Sequence, residues 1–199
     1  MRWDRLFEDL EGQLAAEWEA ERAVLDAESE RLRISRLDLR HRLRLLGEAT
    51  APVTLDLPGG HRRRAVLRIL GADWLAADQD DGGRERMLIV PLSSLRGVAC
   101  DLGLVLASAE DRGERAASLR ERMTLGFVLR DLARRRIPVR LATIDGDDLH
   151  GTIDRAGADH LDLAIHDPGE ARTARAVQGF RILPLAAVAW LQPTVGQLP

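Results

Sequence analysis

The chain repeats itself. Pro52-Val53-x-Leu55 recurs as Pro138-Val139-x-Leu141, an offset of 138 − 52 = 86. At that offset Gly60 matches Gly146, and Gly71-Ala72-Asp73-x-Leu75 matches Gly157-Ala158-Asp159-x-Leu161. The register holds upstream, where Leu39, Leu43, Arg44 and Leu46 match Leu125, Leu129, Arg130 and Leu132. Downstream, Val90-Pro91-Leu92-x-x-Leu95 resembles Leu183-Pro184-Leu185-x-x-Val188 at an offset of 184 − 91 = 93, so the second copy has a longer loop before it. Chance produces single matches, not this many in one order. A period of this kind marks one supersecondary unit used twice. Each copy reads as a helix followed by several short strands.

Residues 3–46 show helical spacing. Trp3, Phe7, Leu10, Leu14, Trp18, Leu25 and Leu32 fall at steps of three, four or seven, with Glu and Arg on the other faces. No Pro interrupts before Pro52. Such a helix is roughly 65 Å long at ~1.5 Å per residue, too long to pack on one small barrel. Its free N-terminal part is expected to pair with another helix as a coiled-coil dimer. A helical hairpin folded back within one chain is the alternative. The expected divisions are a long amphipathic helix over 1–47, a first barrel over 50–100, a linking helix over 110–136 and a second barrel over 137–192.

In the linking helix Leu119, Met123, Phe127 and Leu132 lie near one face, and Pro138 stops it. Val139 to Ile144 then alternates, and Asp145-Gly146-Asp147 is a turn. Leu149 to Ile153 returns as a strand, and Gly157-Ala158-Asp159 turns again. From His160 to His166 the pattern alternates, with Leu161, Leu163 and Ile165 on one face and His160, Asp162 and His166 on the other. Asp167-Pro168-Gly169 opens the longer loop. Phe180–Leu183 and Val188–Leu191 are the last strands, joined by a tight Pro-Leu-Ala-Ala turn. Five short strands with a one-turn helical connection before the last is the plan of an SH3-like barrel. At ~50 residues such a barrel gains from a docked helix or a partner barrel. The expected class is α+β: a long N-terminal helix, then two five-stranded barrels, each preceded by a helix.

This plan resembles the Sm-like superfamily, which includes the Hfq-like bacterial RNA chaperones. The residues that carry the resemblance are Gly146-x-x-x-x-Gly151-x-Ile153, Gly157-x-Asp159-x-Leu161-x-Leu163 and Ile182-x-Pro184-x-x-x-Val188-x-x-Leu191. The first copy echoes them with Gly60, Gly71-Ala72-Asp73-x-Leu75 and Pro91. The resemblance covers roughly residues 31–98 and 114–191. It implies small barrels that assemble into rings and bind U-rich or A-rich RNA. The chain departs from the family at the sites that touch RNA. The Asn of the third loop is not evident, the Arg-Gly of the second motif is absent from copy two and only loosely echoed by Arg96-Gly97, and the closing Lys-His is missing.

Composition narrows the function classes. The single Cys100 excludes an intrachain disulfide and any multi-Cys metal site. The start, Met-Arg-Trp-Asp followed by acidic residues, has no signal-peptide pattern, and no apolar run approaches ~18 residues. A cytoplasmic protein is expected. No Ser/His/Asp grouping, phosphate loop or dinucleotide fingerprint occurs, so neither an enzyme nor a cofactor is expected. His160, Asp162 and His166 share a strand face about 7 Å apart, too far for a metal unless His150 converges on them, and no metal is expected. All 29 basic residues are Arg, which reflects coding bias as readily as function.

The candidate binding residues are Arg62, Arg63, Arg64 and Arg68, with Arg62, Arg64 and Arg68 on one outer strand face. Permanent charge and bidentate donors suit them to phosphates. Their equivalents in copy two are Asp148, His150 and Asp154, so the two faces differ in sign and are either solvated or attract each other. Arg40 and Arg44 belong to a run of six Arg over 31–44, whereas residues 1–30 carry three Arg and ten acidic residues. This split suits antiparallel helix pairing, or holds nucleic acid near the barrels. Arg134-Arg135-Arg136 is explained by the helix dipole. Trp74 and His160 follow the Gly-Ala-Asp turns; the Sm-like resemblance implies that this loop faces RNA, where a planar side chain can stack on a base. The preferred reading is that Trp74 plugs a barrel end or a subunit contact. The leading function is association with nucleic acid, RNA above all, by tandem barrels held in a homodimer or larger oligomer. A protein-interaction scaffold that oligomerises through the N-terminal helix is the alternative, favoured by the net charge of −3. A DNA-binding protein is a third reading, without a helix-turn-helix pattern to carry it.

Overall fold

Helix α1 spans Arg2–Ser35 in the computed structural model, which describes residues 2–80, 85–110, 113, 116 and 118–194, with side chains from Glu11 onward except at residues 80 and 85. Residues of good helix propensity fill α1, and the Glu28–Arg31 and Glu30–Arg33 pairs lie one turn apart at 3.6 and 2.6 Å. The single helix expected over 3–46 is broken. A second helix, α2, spans Leu39–Glu48. Asp38 makes the break, because its Oδ1 accepts a hydrogen bond from the His41 backbone N–H at 2.6 Å and so caps a new helix start. The free helix is therefore 34 residues, about 50 Å. The side chains of Trp3, Phe7 and Leu10 lie outside the described residues. The chain forms two compact units, Met1–His41 and Arg42–Pro199.

In the second unit the repeat is visible in detail. Strands β1 (Pro52–Leu57), β2 (His61–Leu70), β3 (Trp74–Asp80), β4 (Glu85–Pro91) and β5 (Gly97–Ala99) follow α2. Helices α3 (Leu102–Ala107), α4 (Leu119–Arg122) and α5 (Leu125–Arg135) intervene. Strands β6 (Pro138–Thr143), β7 (Asp148–Ala156), β8 (His160–Ile165), β9 (Gly179–Pro184) and β10 (Val188–Pro193) follow in the second repeat. One-turn 3-10 helices, Leu92–Ser94 and Leu185–Ala187, precede β5 and β10. Thr50 and Arg136, at equivalent places after α2 and α5, both adopt left-handed φ, 49° and 52°. The β2–β3 ladder bulges between Leu67 and Ile69, and the β7–β8 ladder between Ile153 and Arg155, again one offset apart. The Gly71 N–H bonds the Trp74 carbonyl and the Gly157 N–H the His160 carbonyl, each at 2.8 Å.

The expectation of two separate five-stranded barrels is overturned. The ten described strands form one antiparallel open sheet, ordered β5-β1-β2-β3-β4-β10-β6-β7-β8-β9. The last strand of the second repeat does not close on its own β9. It lies between β6 and β4, with Leu191 opposite Ile89. The reason is burial. Trp74, Ala76 and Ile89 of the first repeat complete the core of Val128, Leu129, Leu141, Ile153, Leu163 and Leu191. Conversely Ala142, Ala189 and Trp190 of the second repeat complete the core of Leu43, Val53, Leu55, Leu67, Leu75 and Leu88. A 50-residue repeat buries too little apolar surface alone, and each fully buried Leu or Ile contributes about 1.5–3 kcal/mol. Exchanging side chains across a shared strand pair supplies the deficit.

The linking helix expected over 110–136 is also corrected. Residues 111, 112, 114, 115 and 117 lie outside the described residues. Beyond them α4 and α5 are separated by extended backbone at Met123 and Thr124. Ser118 and Glu121 form a reciprocal capping box on α4, and the Asp73 carboxylate accepts from the Leu125 N–H at 2.6 Å to start α5. Helix α3, capped by Asp101, was not expected. Among the described residues no helix is long and apolar enough to cross a membrane.

Candidate functional site

The basic strand expected from the sequence is β2, and the structure separates its members. Arg62, Arg64 and Arg68 are exposed, whereas Arg63 turns to the opposite side. Two of the exposed three are occupied by acids of their own repeat, Arg62 with Asp56 at 3.0 Å and Arg68 with Asp78 at 2.7 Å. Arg64 has no ion pair among the described residues. The acidic equivalents in the second repeat are neutralised locally too, Asp148 by Arg140 and Asp154 by Arg172. These outward-facing charges of each repeat thus have partners within that repeat, Arg64 excepted. Arg40 and Arg44 are half-buried, and Arg44 faces Glu121 at 3.8 Å.

Arg63 reaches the joint between repeats. Its guanidinium lies 5.2 Å from the centre of the Trp190 ring, and that of Arg140 lies 5.5 Å from it. His61 meets the same ring edge-on at 6.4 Å. Trp190 is 1 % exposed, and its Nε1 has no hydrogen-bond partner among the described residues. The hydrogen bond from Arg140 holds the Asp148 carboxyl below the usual carboxylate range, assisted by the charges of Arg140, Arg63 and His61. A recess of about 510 Å³ opens nearby, lined by Arg86, Arg140, His150 and Gln192. Sequence reasoning missed this cluster. Trp190 falls opposite Gly97 at the 93-residue offset, so the repeat pattern does not mark it.

Trp74 does not line a surface. It is 2 % exposed, and its ring N–H donates to the Met123 carbonyl at 2.9 Å. The base stack considered for it is closed in this arrangement, and the contact between repeats is what it makes. His160, its equivalent, is exposed and bonds the Asp159 carboxylate at 2.9 Å, which keeps that carboxyl below its usual range. His166 is buried between Thr152 and the Asp167 carbonyl, and its ring stands edge-on to His150. These imidazoles do not converge with His160 or Asp162, and no group of three metal-ligating side chains occurs among the described residues.

The other exposed feature is α1. Leu14, Trp18, Leu25 and Leu32 are 54, 72, 67 and 52 % exposed. At ~100° per residue they fall within a stripe about 40° wide, with Trp18, Leu25 and Leu32 a heptad apart. Comparison with protein-family models, with characterised proteins and with solved structures found no match.

Proposed function

We propose that the chain is a non-enzymatic assembly protein, in which α1 pairs with α1 of a second copy and carries a rigid two-repeat platform. The observation behind it is the exposed Leu14-Trp18-Leu25-Leu32 stripe. A seam of this width suits one partner helix. An antiparallel arrangement brings Arg31 and Arg33 in the last turns of one helix, with Arg36 just beyond it, against the acidic first half of the other. Most of the Arg residues that would meet phosphate are instead paired or half-buried, which favours this reading over nucleic-acid binding. The test is sedimentation equilibrium of the full chain. Leu14→Asp with Trp18→Asp lowers the apparent mass while circular dichroism of the strands stays the same. An unchanged mass would falsify the pairing.

A second reading, RNA binding in the manner of an Sm-like protein, is favoured by one observation: Arg62 and Arg64 stand exposed on consecutive outward positions of β2. Single-stranded RNA retained on these two residues has a salt slope that falls by about 1.4 in Arg62→Ala/Arg64→Ala, at ~0.7 per phosphate contact. Filter binding of a mixed-sequence RNA across a salt series reads it, and an unaltered slope excludes these residues as the site.

A further inference from the structure

The joint between repeats has an unused twin. In β4, Leu88 and Val90 point into the first repeat's core, while Met87 and Ile89 pack with the second's. Ile89 is fully buried in that core, opposite Leu191 of the neighbouring strand β10. The 93-residue offset carries Met87, Ile89 and Pro91 onto Phe180, Ile182 and Pro184 of β9. Leu183 still points into its own core, yet Phe180 is 65 % and Ile182 74 % exposed. Strand β9 pairs with β8 on one side and, among the described strands, ends the sheet on the other.

The loop before β3 takes part in the same joint. The Ala72 N–H and the Trp74 ring N–H both donate to the Met123 carbonyl, and Asp73 accepts from Leu125. Its twin, Asp159 and His160, is exposed. At the opposite end of the sheet β5 pairs only with β1 among the described strands, and Val98 stands where Leu191 stands in β10, at 191 − 93 = 98.

We propose that β9 and the Asp159–His160 loop are the docking surface for a second copy of this chain, whose β5 edge adds beside β9 as β10 adds beside β4. An open six-residue edge carrying Phe180 and Ile182 leaves unpaired backbone groups beside exposed apolar side chains, a template for another strand. The molecule already contains the strand that such an edge accepts. What buries Ile89 inside one chain buries Ile182 between two. Because the two edges differ, the contact is heterologous and propagates head to tail. It is also weaker than the internal joint. There Ser94 donates to the Ala189 carbonyl at 2.7 Å, and the twin of Ser94 is Ala187, which has no hydroxyl. This interface is separate from the α1 pairing and does not depend on it.

Cysteine cross-linking of the full chain tests it. In a Cys100→Ser background, Val98→Cys with Ile182→Cys places thiols where Leu191 and Ile89 face each other within the chain. Mild oxidation yields a ladder of dimers, trimers and larger species on a non-reducing denaturing gel, and adding Phe180→Asp abolishes it. The ladder persists when Leu14→Asp/Trp18→Asp has removed α1 pairing, so the two interfaces succeed or fail separately. A double-cysteine chain that stays monomeric on the gel overturns the proposal. So does equal dimer formation by Ile182→Cys alone, which would mean that two β9 edges meet each other.

Discussion

The two Gly-Ala-Asp loops share a backbone and differ in everything around it. Each closes with the same 2.8 Å hydrogen bond from Gly to the residue three positions on. In the first repeat that residue is Trp74, sealed against Met123 and the second repeat's core. In the second it is His160, in solvent beside Asp159. The difference lies in the neighbours, since among the described strands the first loop has a repeat following it in the sheet and the second does not. A local motif thus sets a turn, while the position of that turn in the sheet decides whether it becomes core or surface.

Truncating the residue after each turn breaks the comparison most sharply. Trp74→Ala removes a buried indole and its hydrogen bond and costs about 3–5 kcal/mol, whereas His160→Ala stays within about 0.5 kcal/mol. Urea unfolding midpoints measure both, and similar losses would mean that the second loop is covered too. Next in size is the glycine itself. A Cβ on Gly71 falls 2.0 Å from Trp74 Nε1, and one on Gly157 falls 2.5 Å from His160 Cε1. His160 is exposed and has room to swing aside, whereas Trp74 is enclosed. Gly71→Ala therefore costs about 1–3 kcal/mol as overpacking, and Gly157→Ala well under that. Equal thermal shifts in the two variants would show that the His160 ring is held.

The smallest effect concerns the helices that precede each repeat's strands. Leu45 of α2 is buried, and its counterpart in α5 is Asp131, also buried and paired with Arg134 at 2.5 Å and Arg135 at 3.3 Å. The Arg134 hydrogen bond, joined by that of Arg135, holds the Asp131 carboxyl below the usual range. A lowered folded value means that the unfolded chain takes up the proton first. The stabilisation is complete above the ordinary Asp pKa of about 3.9 and disappears as pH falls through the folded value. Asp131→Leu, which copies the first repeat, flattens stability against pH in that acid window by about 0.5 kcal/mol. Denaturation at pH 3 and pH 6 measures the change, and an acid loss as large as that of the unaltered chain would remove Asp131 from the account.

Much of the fold was legible because it is periodic. The Pro52 and Pro138 strand starts, the paired turns and the one-turn helices before β5 and β10 all follow from spacing and turn chemistry. The helix break at Asp38 also carried a signal, an Asp three residues before His41, but the apolar spacing across it concealed the cap. Of the candidate site, Arg62 and Arg64 stand exposed as alternation requires. Arg68 is exposed across a bulge, and its ion pair with Asp78 comes from the β2–β3 register. Arg63 over Trp190 could not be read, because the two residues lie in different repeats.

Residues a few positions apart encode the local units, a duplicated helix-and-strand module with its turns and alternation. That the modules share one sheet, that Trp74 is buried while His160 is not, and that β9 lies at an edge among the described strands are consequences of tertiary packing. Those outcomes depend on which strand lies beside which. Apolar side chains report that they must be buried, but they do not encode the partner that buries them.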